Sequence, residues 1–186
     1  MEKELELDLI QKIKNGNYQL FERFIEEYQN TLFSFLFRML KNSDDARDIC
    51  QDTFFKAYRS IRSYDGRAKF STWLYRIGYY QAINFIRRKK KHSEILKKMK
   101  PETVPDKKGK DLEMKEIGAI IEHITSDIHH NYRVALHLFY KEERSYNEIA
   151  SIMKIPLNSV KSLIFRAKEL IRNKLINDYQ FQNHMN

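Results

Sequence analysis

RSYNEIASIMKIPLNSVKSLIFRAKELI, residues 144–171, holds two helical patterns with a break between them. Ser145 can cap the first helix, and Glu148 stands three residues later to complete a capping box. Ile149, Ala150 and Ile152 or Met153 supply its inner face. Ile155-Pro156-Leu157 interrupts it, and a second helix is expected from about Asn158, with Val160, Leu163 or Ile164, and Ala167 inward. Ala150 and Val160 have the ten-residue spacing of a helix-turn-helix, where a small residue lets two helices cross closely. The second helix then exposes Lys161, Ser162, Phe165 and Arg166, with Lys168 at the margin. Lys and Arg reach phosphates or guanine edges, Ser reaches either, and Phe meets a thymine methyl. An ordinary hairpin with a charged outer face is the alternative. Capping box, break and spacing together favour the DNA-reading version.

The rest of the chain follows the same helical rule. Its 186 residues include only five Gly and three Pro, and helix formers dominate. That composition gives an all-α fold, sized for two small domains. Residues 5–28 are periodic except at Asn15-Gly16-Asn17, which reads as a turn. From Tyr18 a long Phe- and Leu-rich helix is expected, ending at Asn42 and Ser43, with Ser43 or Asp44 capping the next helix. In DDARDICQDTFFKAYRSI, residues 44–61, Ala46, Ile49, Cys50, Thr53, Phe54, Ala57, Tyr58 and Ile61 form one core stripe. At about 100° per residue, Phe55 points away from that stripe, among Asp48, Gln51, Asp52 and Arg59. An apolar ring on a polar face suggests protein docking, although a single exposed Phe is ordinary.

Residues 69–91, KFSTWLYRIGYYQAINFIRRKKK, hold six aromatics and seven Lys or Arg without an acid. Between Arg62 and Lys91 nine basic residues face one acid, Asp65. Net charge is +9, and residues 1–92 hold 18 basic and 12 acidic side chains. This imbalance points to a polyanion: nucleic acid first, an anionic membrane surface second, a merely solvated face otherwise. Rings interleaved with cations suit single-stranded nucleic acid, whose bases stack while Lys and Arg track the backbone. Phe70, Leu74 and Ile77 share an anchoring face, which leaves Trp73, Arg76, Tyr79 and Tyr80 for an unpaired strand. Ser63-Tyr64-Asp65-Gly66-Arg67 reads as a loop, with the helix beginning at about Ser71. The following KHSEILKKMKPETVPDKKGKD is polar and Lys-rich and reads as a linker, with helix near Ile95 to Met99. Helical periodicity returns at about Leu112 and runs to Ile176. The expected organisation is a first domain over 1–92, a linker over 93–112, a second domain over 113–178 and a tail over 179–186.

With these motifs in order, the chain resembles the RNA polymerase sigma factors, specifically their small extracytoplasmic-function (ECF) group. DARDICQDTFFKAYRSIRSYDGRAKFSTWLYRI looks like that group's second region, and YRVALHLFYKEERSYNEIASIMKIPLNSVKSLIFRAKELI its fourth. The resemblance implies a transcription initiation factor that binds core RNA polymerase through Asp48, Ile49, Gln51, Asp52 and Phe55. It implies recognition and melting of a −10 element by the loop and helix carrying Tyr64, Asp65, Arg67, Lys69, Ser71, Thr72, Trp73, Arg76, Tyr79 and Tyr80, with Arg87 and Arg88 beyond. A flipped base held there would expose an edge hidden in duplex DNA. Lys161, Ser162, Phe165 and Arg166 would read a −35 element in the major groove. The resemblance also implies an anti-sigma partner, often membrane-bound, and neither catalytic group nor cofactor. Five positions depart from the family pattern: Tyr80 where Asn is usual, Asn84 for Asp, Leu163 for Arg, Lys154 for Gly and His129 for Pro.

Other function classes fare worse. Asp44-Asp45-Ala46-Arg47-Asp48 spells the DDxxD of magnesium-dependent prenyl transfer, but a second acidic cluster of that pattern is missing, so no metal site is expected. A dimeric helix-turn-helix regulator would need neither the Lys-rich linker nor the aromatic-basic segment. The single Cys50 cannot form an internal disulfide and reads as a small core residue. MEKELELDLI, residues 1–10, is acidic and lacks the apolar run of a signal peptide, and no stretch approaches 18 apolar residues. The chain is expected to be cytoplasmic.

Overall fold

The computed structural model describes residues 3–99 and 129–183. The described residues are helical without a strand and fall into two compact units, one built on 3–99 and one on most of 129–183. The expected linker residues 100–112 and the helical start near Leu112 lie outside the described residues.

In the first unit, α1 spans Lys3–Lys14 and buries Leu9, Ile10 and Ile13 along one stripe, with Glu6 on the same stripe. Gly16, at φ +107°, takes the left-handed turn that ends it. A 3-10 turn over Tyr18–Phe21 leads into α2, Glu22–Leu40, whose Phe24, Leu32, Phe35, Leu36 and Met39 are buried. Lys41 is left-handed and its N–H closes α2 onto the Phe37 carbonyl at 2.8 Å. Helix α3 is Ser43–Ser60, and its cap is Asn42 rather than Ser43 or Asp44. Asn42 alone has the extended backbone a cap requires, and its Oδ1 accepts the Asp45 N–H at 2.8 Å. The stripe expected on α3 is buried from Ala46 to Ala57, with Tyr58 half-buried.

Helix α4 spans Phe70–Met99 and packs on α2 and α3. Gly78 permits that approach: a Cβ there would stand 3.1 Å from Leu32 Cδ1 and 3.5 Å from Thr53. Phe70 is fully buried, with the rings of Phe21, Phe24, Tyr28, Tyr64 and Trp73 centred 4.2–6.4 Å away. Such clusters combine large apolar area with favourable edge and tilt geometry. The helix does not stop at residue 92. Residues 93–99 contain no Gly or Pro, and Lys90 pairs with Glu94 one turn on at 3.9 Å, so the helix enters the expected linker.

In the second unit, α5 spans His130–Leu136 and widens into a π turn over His137–Lys141. His129, the departure from Pro, caps α5 by accepting the Asn131 N–H at 3.4 Å. Helix α6 is Tyr146–Met153, opened by the expected Ser145–Glu148 capping box. Lys154 then adopts φ 51°, ψ 49°, the left-handed conformation that its place in the turn demands. Helix α7 begins at Leu157, directly after Pro156, and runs to Asn183. Residues 179–183, expected as tail, are therefore helical; after Pro156 the sequence contains neither Gly nor Pro to end it. Helix α5 packs against α7. Val134, Ala135, Leu138, Ile149, Val160, Ile164 and Ala167 are buried, whereas Leu163 is half-buried.

Candidate nucleic-acid and partner-binding surfaces

The outer face of α3 carries Asp48, Gln51, Asp52 and Phe55, all exposed. The Phe55 ring is 60% exposed, and the Arg59 guanidinium lies 5.6 Å from its centre. This stack braces an apolar plate above three polar neighbours. Ile49 does not join them. It is 5% exposed, because it lies on the Ala46–Cys50–Thr53 stripe, and its carbonyl accepts the Thr53 hydroxyl at 2.6 Å. Two of the three DDxxD carboxylates are engaged in ion pairs: Asp44 lies 3.6 Å from Arg47 and Asp45 lies 2.7 Å from Lys89. Among the described residues no group of three or more His, Cys, Asp or Glu could hold a metal ion, and no helix is long and apolar enough to cross a membrane.

The second surface is the 64–69 loop and the helix after it. Here the expected residues separate into two sets. Asp65, Arg67, Lys69, Arg87 and Arg88 are exposed, and Arg76 and Tyr80 are half-buried. Tyr64, Ser71, Thr72, Trp73 and Tyr79 are buried, so Trp73 and Tyr79 do not offer free faces to stack bases. The reason is that α4 meets more than one neighbour, so that rings spread around it are covered on several sides. Trp73 packs on Tyr64 and Phe70 at 5.3 and 5.5 Å, and Tyr79 meets Tyr80 edge-on at 5.8 Å. Burial pushes the Tyr64 hydroxyl up to about 12, aided by the Glu6 and Asp65 carboxylates. Burial also raises Tyr79, with Tyr80 adding to the shift and Arg87 opposing it.

Tyr64 instead shapes the loop. Its hydroxyl donates to the Ala68 carbonyl at 2.6 Å, closing the loop on itself. Gly66 turns it at φ +73°, while Asp65 Oδ1 accepts the Arg67 N–H at 3.1 Å and Asp65 Oδ2 lies 3.4 Å from Arg67 Nε. Helix α1 reaches both ends. Lys14 Nζ donates to the Tyr64 carbonyl at 2.6 Å, and Glu6 Oε1 accepts the Phe70 N–H at 2.9 Å. Sequence reasoning missed both residues. The available signal was Glu6 itself, an acid at the i position of the Glu6, Leu9, Ile10, Ile13 stripe.

The third surface is the first half of α7. Lys161, Ser162, Phe165 and Arg166 are exposed, with Phe165 at 65%. Ser162 and Arg166 join Tyr132, Asn158, Ser159 and Leu163 around a cleft of about 410 Å³. Tyr132, Asn158 and Ser159 are additions to the expected set, brought there because α5 lies against the start of α7. Lys168 turns toward the π turn instead, 5.2 Å from the Tyr140 ring centre. Its hydrogen bond with Tyr140 raises its pKa, partly offset by desolvation.

Comparison with known proteins matches both segments. The model for sigma-70 region 2 matches residues 24–92 and that for sigma-70 region 4 matches 130–171. The ECF RNA polymerase sigma-E factor of Haemophilus influenzae is 33% identical over 177 residues, covering 90% of this chain and 93% of its own length. The ECF RNA polymerase sigma factor SigW of Bacillus subtilis is 31% identical over 182 residues, covering 89% and 94%. Among solved structures, the sigma factor RpoE from Bartonella quintana, in complex with the anti-sigma factor NepR, shares the fold at TM-score 0.68 and 19% identity, covering 83% of this chain and 96% of that one. CnrH, in complex with the cytosolic domain of CnrY, does so at TM-score 0.69 and 19% identity, covering 93% and 98%.

Proposed function

This chain belongs to the ECF group of RNA polymerase sigma factors, and from that premise we propose how its three surfaces bring core polymerase to a promoter. The family is one of non-catalytic transcription factors, and the chain is a promoter-specific initiation factor. The α3 face of Asp48, Gln51, Asp52 and Phe55 docks on core polymerase, with Phe55 as the apolar anchor and Arg59 holding it in place. Ile49 supports that face from beneath.

The 64–69 loop and the following helix take the −10 element. Asp65, Arg67 and Lys69 contact the opened strand at the loop, and Arg76, Tyr80, Arg87 and Arg88 continue the path. Tyr64, Ser71, Thr72, Trp73 and Tyr79 serve as the scaffold behind it. Strand engagement is then mainly electrostatic, with Tyr80 as the ring best able to stack, and affinity falls steeply with salt. Lys161, Ser162, Phe165 and Arg166 read the −35 element from the major groove, with Asn158 and Ser159 available to phosphates at the start of α7. An anti-sigma partner covering the same surfaces would hold the protein inactive, at a membrane or free in the cytoplasm.

The observation that carries this reading is that the three exposed sets fall on the two segments matching sigma regions 2 and 4. The test is transcription by purified core RNA polymerase on genomic DNA fragments, with and without the protein. Discrete new start sites appearing only with the protein are expected. No new starts, from a core that is competent with another sigma factor, would overturn the reading.

A further inference from the structure

We propose that α1 is a brace for the 64–69 loop, and that Glu6 and Lys14 are positioning residues for −10 recognition; this rests on the function proposed above. The helix lies outside the segment that matches region 2, which begins at residue 24. Yet it meets the loop region at two levels, around Glu6 and Leu7 and again at Lys14 about two turns further on. Glu6 accepts the Phe70 N–H at 2.9 Å, Leu7 Cδ2 lies 3.4 Å from where a Cβ on Gly66 would stand, and Lys14 donates to the Tyr64 carbonyl at 2.6 Å.

The chemistry of Glu6 argues for more than packing. It is 5% exposed on a stripe where Leu would serve a core, and burying a carboxylate is unfavourable unless its oxygens are bonded. Both are engaged: Oε1 by the Phe70 N–H and Oε2 by the Tyr28 hydroxyl at 3.2 Å. The acceptor sits at the first residue of the 30-residue α4, where unpaired N–H groups favour an anion. Lys14 fixes the opposite end of the loop through backbone, not side chain. With its ends pinned from α1 and its middle closed by Tyr64 on Ala68, the loop presents Asp65, Arg67 and Lys69 in one arrangement before DNA arrives. Preorganisation of that kind improves both affinity and discrimination, because the ordering cost is met during folding.

The brace is tested on the full chain with Lys14→Met, which keeps the apolar stem but removes the donor, with Lys14→Arg as the conservative rescue and Glu6→Gln as a second variant. In the free protein, Lys14→Met is expected to speed amide exchange over residues 65–70 about 5-fold or more while the thermal midpoint stays near wild type. In the polymerase complex, the ratio of transcription from a promoter found on the genomic fragments to that from its −10 single-base variants is expected to fall about 2- to 10-fold, the worth of one lost hydrogen bond. Core affinity and −35 discrimination should stay unchanged, and Lys14→Arg should restore the ratio. Loop exchange that stays constant, or rises only together with all of residues 3–99, overturns the brace. So does faster loop exchange with unaltered −10 discrimination. If the wild-type chain directs no start sites, the sigma reading fails and takes the −10 role with it, while exchange still decides whether α1 braces the loop.

Discussion

Phe54 and Phe55 adjoin in sequence but are 6% and 60% exposed, so the same substitution should have opposite consequences at the two positions. Phe54→Ala empties a core site and is expected to cost about 3–5 kcal/mol. In a domain of this size, about 4–8 °C of midpoint per kcal/mol makes that a loss of roughly 12 °C or more. Phe55→Ala gives up only the two-fifths of its surface that is covered. On a full-burial value of about 1.5–3 kcal/mol, that is roughly 0.6–1.2 kcal/mol. The Arg59 stack adds about 0.5–1 kcal/mol, and the better helix propensity of Ala returns about 0.5, leaving a net cost near 1 kcal/mol. If the ring anchors core polymerase, its removal should cost at least about 2 kcal/mol of binding, a 30-fold loss. Urea unfolding followed by circular dichroism measures the first quantity, and titration of labelled protein with core polymerase the second. Phe55→Ala binding core within two-fold of wild type would refute the docking assignment. Unfolding as extensive as that of Phe54→Ala would refute the burial argument.

Lys154→Gly should stabilise the second unit by about 0.5–1 kcal/mol, since a side chain at φ 51° costs about 1–2 kcal/mol and glycine's freedom when unfolded returns about 0.4–1. Lys154→Ala should show no such gain in urea midpoint, and an equal gain would refute the backbone account. Arg166→Ala should reduce −35 discrimination by about 1–3 kcal/mol if the guanidinium makes a bidentate base contact. Competition among −35 variants in transcription reads this, and an equal loss on every sequence would assign Arg166 to phosphate. Burial pushes the Cys50 thiol up to about 11, so the folded chain should resist alkylation by iodoacetamide at pH 8, and labelling at the rate of an unfolded peptide would contradict its burial. Because the unfolded thiol loses its proton first, Cys50's contribution to stability should be intact below pH 9 and decline as pH rises toward 11.

The parts of this molecule that were legible in sequence were those decided locally. The Ser145–Glu148 capping box, the break at Pro156 and the stripe from Ala46 to Ala57 are set by residues within one or two turns of each other, and all stand as read. Helix ends were less legible. Asn42 took the cap from Ser43 because the left-handed Lys41 stops α2 one residue earlier. Helix α7 continues past its expected limit because polarity was read as an ending where no breaker exists, whereas the helix expected near Ile95 to Met99 is the unbroken end of α4. The rings of residues 69–91 were the larger misreading. Periodicity distinguishes a buried face from an exposed one when a helix has one neighbour, but α4 has several. Trp73 and Tyr79 are therefore covered, and of the rings expected to meet a strand half-buried Tyr80 alone stays partly open, with Phe85 half-buried further along the helix. The scaffold role of Tyr64 depends on a bond to Ala68 and a pairing with Lys14, neither of which follows from any repeat in the sequence.

The contacts from α1 to the loop also bear on how the proposed promoter-reading surface depends on the rest of the fold. Lys14 and Tyr64 are separated by 50 residues, and Glu6 and Phe70 by 64. Contacts of that span carry a larger loop-closure cost than contacts within a helix, so the loop's arrangement depends on the long-range fold and not on local structure alone. A nascent or partly unfolded chain thus has its cations but not their arrangement. If the loop reads the −10 element as proposed, such a chain is expected to adhere to DNA without discriminating among sequences.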